Sequence, residues 1–464
     1  MRYAISLAAL LWGAAAHADT IDIPDTPAGH FFRTFLTAYN SADPVQIERY
    51  NTLYKGTLPP QAWIERHADT GDLRPVRIEQ SEPNRLTLLL STTETDDFYR
   101  EVVEMDPADP MRKIVFSQSS AERPVEFAIP RLSRSGVTGA LDRRAAELVA
   151  AGKFTGTMMV EHGGKILTQR AWGVADRSRN IPVTLDTKFR VGSDSKMFTA
   201  IAVLQLVEAG KLSLDGTVGK YLPDYLSSAF AREVTIRQLL THTGGAGDIF
   251  GPEFDAHQAE LRTNADYVKL FGARDPDHSE QGQKAYSNYG FVLLGHIVEH
   301  VSGQDYYDYV RRHVFEPAGM TSTGSLPENE SVPLRAPGYT HDGDKLVDNA
   351  STLPYRGMAA GGGYSTVGDL IRFARALRAG KLISKAMLEQ ATRAQNPDRW
   401  YGLGFEIHGE GAAAYWGHGG GAPGMNAAFR VYPASDTVIV ALSNIDPPGA
   451  DLLADFYANR MPAN

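Results

Sequence analysis

The sequence predicts an α+β protein: an antiparallel sheet flanked by helices, with an all-helical lobe, preceded by a small α+β domain. Three observations lead there. Over residues 19–132 helix-periodic segments come first and short strand patterns second, an order that places a meander of strands against helices. Near residue 141 a helix and a hairpin begin again, and the middle of the chain is helical. Strand patterns then return at Ala414–Trp416, Ala427–Tyr432 and Thr437–Ser443, and a helix over Asp451–Arg460 closes the chain.

In chain order, Met1-Arg2, the apolar run Ala4–Ala16 and the Ala16-His17-Ala18 site read as a secretory signal over residues 1–18. The run is shorter than the ~20 residues that span a bilayer. In the first domain, Phe31, Phe32, Phe35, Leu36 and Tyr39 give Ala28–Asn40 a helical stripe, and Pro59–His67 fits a second helix. Strands follow at Leu73–Gln80, Arg85–Thr92, Phe98–Met105 and Lys113–Gln118, with turns at Glu82-Pro83-Asn84 and Pro107-Ala108-Asp109-Pro110. This order resembles the nuclear-transport-factor-like cone fold. A role in oligomerisation, substrate positioning, ligand binding or plain stabilisation fits it equally. Arg123–Arg134, with Pro124 and Pro130, reads as a linker. The second domain, 133–464, opens with a helix over Leu141–Ala151 and a hairpin over 157–169 that turns at His162-Gly163-Gly164.

The chemistry concentrates at Ser193-Asp194-Ser195-Lys196. The strand-like Lys188-Phe189-Arg190 leads into it, and Met197, Phe198, Ile201, Leu204 and Val207 then keep helical spacing up to Gly210. Residues i and i+3 share a helix face, so the Lys196 amine can sit beside the Ser193 hydroxyl. A serine needs such a base to become a nucleophile, and burial is one way to make a lysine give up its proton. S-x-x-K alone occurs about once by chance in a chain of this length. Two later motifs add weight: Tyr286-Ser287-Asn288, just before an apolar helix over Phe291–Val301, and His418-Gly419-Gly420-Gly421 in a strand-like region. The competing Tyr457-Ala458-Asn459 lies in the closing helix, where Tyr457 is expected to pack. Taken singly, Tyr286 could be a core-edge aromatic, Asn288 a helix cap and His418 a strand histidine.

S-x-x-K, Y-x-N and K/H-x-G, in that order, make residues 133–464 resemble the serine β-lactamase and penicillin-binding-protein superfamily. The nearest group is the class C β-lactamase-like one, with its esterases and D-Ala-D-Ala carboxypeptidases. Val234–Thr243, the run Gly361-Gly362-Gly363-Tyr364-Ser365-Thr366 and Tyr401-Gly402-Leu403-Gly404-Phe405 fit the same group. The resemblance implies a β-lactamase/transpeptidase-like fold in which Ser193 forms an acyl-enzyme, with Lys196 and Tyr286 handling its proton. A phenol beside an ammonium is expected to have a lowered pKa. Asn288, His418, Gly420 and Gly421 would face the substrate, with the N–H groups of Ser193 and Gly421 as the oxyanion hole. The β-lactamases usually carry lysine where His418 stands. A histidine with a reference pKa of about 6.5 is mostly neutral at pH 7, so esters or peptides are favoured over penicillins. The expected activity is an exported serine hydrolase acting on an ester, amide or β-lactam carbonyl. The alternatives are a D-stereospecific cell-wall peptidase and a non-catalytic scaffold that kept the fold.

Composition excludes several other classes. With 464 residues and 43% apolar content the chain can bury a large core. A net charge of −9 argues against nucleic acid or an anionic membrane as partner but does not identify the substrate, which the resemblance implies is a small molecule or peptide. There are no cysteines, hence no disulfides. His296-Ile297-Val298-Glu299-His300 has zinc-like spacing but isoleucine where a metalloprotease needs glutamate, so the histidines read as surface residues and no metal or cofactor is expected. No G-x-S-x-G elbow is present. His242 reads as structural, and the stretches 246–282 and 325–350 as loops walling the pocket.

Overall fold

Prolines open the first three helices. In the computed structural model, which describes residues 21–55, 59–279, 285–343 and 345–462, these are α1 (Pro27–Ser41), α2 (Pro44–Tyr54) and α3 (Pro60–Thr70). Proline suits the first helical turn because its missing N–H would have no partner there. The expected signal over residues 1–18 lies outside the described residues. Helix α2 was not anticipated, although Ile47, Tyr50, Asn51 and Tyr54 bury a clear i, i+3, i+4, i+7 stripe and Asp43 caps it.

The chain divides into two compact units, one ending at Ile129 and one beginning at Pro130. In the first, β1 (Leu73–Glu82), β2 (Arg85–Thr92), β3 (Phe98–Asp106) and β4 (Asp109–Ala121) form an antiparallel meander in sequence order. Strand β4 starts earlier than the sequence pattern implied, because Asp109 already pairs with Asp106 across the turn. Phe31, Phe35, Tyr50 and Trp63 from the helices meet Leu86, Leu88, Leu90 and Val103 of the sheet in one core.

The second unit is built on a six-stranded antiparallel sheet. Its strands are β5 (Gly156–His162), β6 (Lys165–Trp172), β7 (Glu406–His408), β8 (Tyr415–Ala422), β9 (Met425–Tyr432) and β10 (Thr437–Ser443), in the spatial order β7-β8-β9-β10-β5-β6. Both faces are covered, which is why β10 is apolar or small throughout and wholly buried. Ile439 and Ala441 pack with Leu141 and Leu148 of α4 (Arg134–Ala150) and Leu453 of the closing helix Gly449–Arg460. Val438, Val440 and Leu442 face the helical lobe. Helix α4 starts earlier than expected, since Ser133 supplies the cap.

The lobe is led by α5 (Ser195–Glu208), eleven of whose residues are buried, and by α6 (Asn288–Ser302). The stretch expected as a loop over 246–282 contains short helices at Pro252–His257 and Asn264–Phe271. Within the expected loop 325–350, Tyr339–Asp342 pairs with Lys345–Asp348 as a hairpin. Among the described residues no helix is long and apolar enough to cross a membrane.

Candidate active site

Ser193 does not stand on α5 itself. It lies in a 3₁₀ turn, Gly192–Asp194, that feeds the helix. Gly192 adopts φ +51°, a conformation that favours glycine, and its carbonyl accepts a hydrogen bond from Gly362 N at 3.1 Å. Ser195 Oγ donates to Gly362 O at 2.7 Å, so the glycine run found in the sequence straps the Ser193 turn from both sides.

Strand β8 closes on the same turn. A Cβ on Gly420 would lie 2.0 Å from Val191 O, so only glycine permits this approach. A Cβ on Gly420 would also lie 3.2 Å from Ser193 N, and one on Gly192 3.0 Å from Gly421 N, so the Ser193 and Gly421 amides both lie at the contact between strand and turn. Gly420→Ala is expected to force the strand outward, costing about 1–3 kcal/mol. A thermal melt reads the stability, and loss of Ser193 acylation reads the disturbed amide pair.

Lys196 is fully buried. Its Nζ is 3.1 Å from Ser193 Oγ and 2.7 Å from Asn288 Oδ1, and it also donates to Ala360 O. Burial lowers its pKa from 10.5 to about 7, against the opposing pull of Asp248 and Glu406. A neutral amine has two N–H donors and one lone pair. Asn288 and Ala360 use the donors, which leaves the lone pair for the Ser193 proton.

Asn288 is the first residue of α6, and Ser287 is its cap, so the capping role considered for Asn288 belongs to its neighbour. Asn288 Nδ2 donates to Asp248 Oδ2 at 3.2 Å, an arrangement that turns Oδ1 toward the lysine.

The Tyr286 hydroxyl interacts with Ser193, and Lys196 Nζ lies 4.5 Å from the Tyr286 ring centroid. The expected lowering of the phenol pKa is not found. Burial of the hydroxyl end and the nearby Glu406, Asp248 and Asp194 raise it, outweighing the interaction with Ser193. The residue as a whole remains 36% exposed, so it forms the mouth of the site. His242 backs it at 4.3 Å between ring centroids and accepts the Ser287 N–H at Nδ1, 3.0 Å away. The histidine read as structural thus supports the tyrosine directly.

His418 departs from its expected part. Its imidazole is 2% exposed, with Nδ1 2.7 Å from Gly419 O and Nε2 2.8 Å from the Tyr401 hydroxyl. Because the carbonyl can only accept, Nδ1 carries the proton and Nε2 accepts from the phenol. Burial pushes its pKa below 6.5 against the pull of Glu406. The ring therefore offers no cation to a carboxylate. Tyr401, Asp248, Glu406 and the Ala360 carbonyl were not singled out as site residues. Tyr401 lies in, and Ala360 and Glu406 lie directly beside, glycine-rich stretches whose pattern stands out, and Asp248 lies within the expected loop 246–282. His296 pairs with Glu299 at 3.0 Å, and no metal-holding cluster occurs among the described residues.

Three comparisons with known proteins agree with this geometry. A profile of the Beta-lactamase family matches residues 141–461. Penicillin-binding protein 4 of Amycolatopsis lactamdurans is 31% identical over 301 residues, which are 60% of this chain and 77% of that protein. The crystal structure of a penicillin-binding protein from Bacillus halodurans matches with a TM-score of 0.62 and 30% identity, over 68% of this chain and 99% of that one. A D-stereospecific amidohydrolase from Streptomyces sp. matches with a TM-score of 0.58 and 28% identity, over 68% of this chain and 97% of that one. With the profile and these relatives beside the geometry, the chain belongs to the β-lactamase family, within the superfamily of serine β-lactamases and penicillin-binding proteins.

Proposed function

We propose that this protein is an exported serine hydrolase that transfers the acyl part of an ester or amide to Ser193 and releases it to water. The observation that carries the reading is the buried Lys196 amine 3.1 Å from Ser193 Oγ, with a pKa near 7. Lys196 takes the Ser193 proton as Oγ attacks the carbonyl, and the Ser193 and Gly421 amides receive the developing negative oxygen. Tyr286, kept protonated by burial, gives its proton to the leaving group. Its phenolate then sits beside the Lys196 ammonium. In the second half, the phenolate takes a proton from the attacking water and the ammonium returns one to Ser193 Oγ, which restores both groups.

A second reading, cleavage of amides or peptides of D-residues, draws on the similarity to the D-stereospecific amidohydrolase. Export rests on the signal-like residues 1–18, with residues 19–132 as a separate domain before the hydrolase domain at 133–464. Mass added to Ser193 by a fluorophosphonate, followed by turnover of short esters, a chromogenic cephalosporin and D-Ala-D-Ala peptides, tests the proposal. A protein inert to every acylating probe would be a scaffold.

The neutral His418 gives a sharper expectation for substrate. His418→Lys places a fixed charge where none is offered. The KM for carboxylate-bearing substrates should fall about ten- to a hundredfold, as for a charged hydrogen bond worth about 1.5–3 kcal/mol, with little change for neutral esters. Equal KM values across both substrate types would remove the charge argument.

A further inference from the structure

A cavity of about 490 Å³ borders the glycine strap, with Val191, Ser195 and Gly363 in its lining. Ser193, Lys196, Tyr286 and Asn288 are absent from its lining. Met358 also lines it, and Phe198, Tyr306 and Phe315 give it an apolar, aromatic part. Its volume is that of a site for a small organic ligand.

The polar groups of the lining give the ligand class. Asp305 is committed to its own helix cap, accepting from Tyr307 N and Asp308 N, while Asp308 pairs with Arg311. Arg311 also reaches Glu316. Arg356 is different. Its Nε and Nη2 both donate to the neutral Ser325 carbonyl, and its guanidinium lies 3.3 Å from the Tyr307 ring centroid. Among the described residues no carboxylate pairs with it. A cation held against an aromatic ring, facing an apolar cavity whose acids are already used, is left to be matched by an anion.

We propose that this cavity is a second ligand site, for a small carboxylate with an aromatic or branched apolar body. The carboxylate meets Arg356 and the body lies among the Phe198, Tyr306 and Phe315 side chains. The proposal stands whether or not Ser193 is the nucleophile, because the cavity shares no catalytic side chain with the cleft.

The test uses 4-phenylbutyrate and its neutral amide, titrated into the full chain by calorimetry, and a diazirine analogue of the acid for photolabelling. The expected result is saturable binding of the acid, with the amide at least about tenfold weaker. Arg356→Gln should weaken the acid by a similar factor, and Arg356→Lys should restore most of it. Leu326→Glu sets an acid at the rim, where Leu326 is 42% exposed, and should weaken the acid without disturbing the fold. Label is expected on residues 305–326 or 356–364. Absence of saturable binding at millimolar acid, equal affinity of wild type and the variants, or label confined to residues 286–288 and 418–421 would each overturn the proposal.

Discussion

Ser193→Ala is expected to remove turnover of any ester, amide or β-lactam substrate, by roughly five to six orders of magnitude, while leaving the fold intact. The loss is large because the hydroxyl is the atom around which the other groups converge. Lys196 bonds to it and Tyr286 interacts with it, and without it neither proton transfer has an object. The remaining acceleration would come from the amides of Ser193 and Gly421, which can still polarise a carbonyl. Stability should change by about 1 kcal/mol or less, because Lys196 keeps Asn288 and Ala360 as partners. Turnover surviving in the alanine variant, measured on the ester panel, would remove the nucleophile from this account.

Much of this constellation was legible in the chain, and the reason differs from residue to residue. S-x-x-K and Y-x-N announce themselves because each sits where a strand or loop runs into an apolar helix, and helix periodicity is a local property. The glycines of β8 were readable for a similar reason, since a strand interior rarely carries three in a row without a close neighbour to accommodate. What stayed hidden was non-local. Nothing about Asp248 or Glu406 in the sequence shows that they approach the lysine, because their closeness depends on how separate segments fold together. The sign of the Tyr286 shift was misread for the same reason. A lone ammonium would lower a phenol, but at Tyr286 burial dominates and three nearby carboxyl groups add to it. In the first unit, α2 was not expected although its stripe of Ile47, Tyr50, Asn51 and Tyr54 is local, because polar residues interrupt the apolar ones across its eleven positions.

Lys196→Met is expected to slow acylation by about 10²–10⁴-fold and at the same time to raise the melting temperature at pH 7. Both effects come from one cause. Outside the protein a lysine holds its proton up to 10.5, whereas burial brings Lys196 to about 7. Between those values the unfolded chain binds a proton that the native chain does not, so stability rises with pH across the interval. Below about 7 the native state carries a charged, buried amine and bears the whole penalty, which for this shift is about 5 kcal/mol. Methionine removes that penalty but leaves Asn288 Oδ1 and Ala360 O without their donor, so the net gain should be nearer 1–3 kcal/mol. The wild-type acylation rate should rise with pH through about 7, following the free amine, and the variant should lack that limb. Acylation by a fluorophosphonate at a series of pH values, alongside thermal melts of both proteins, measures the two sides together. A wild-type rate that falls as pH rises from 6 to 8, or a variant that melts lower at every pH, would mean that the buried amine is not the base.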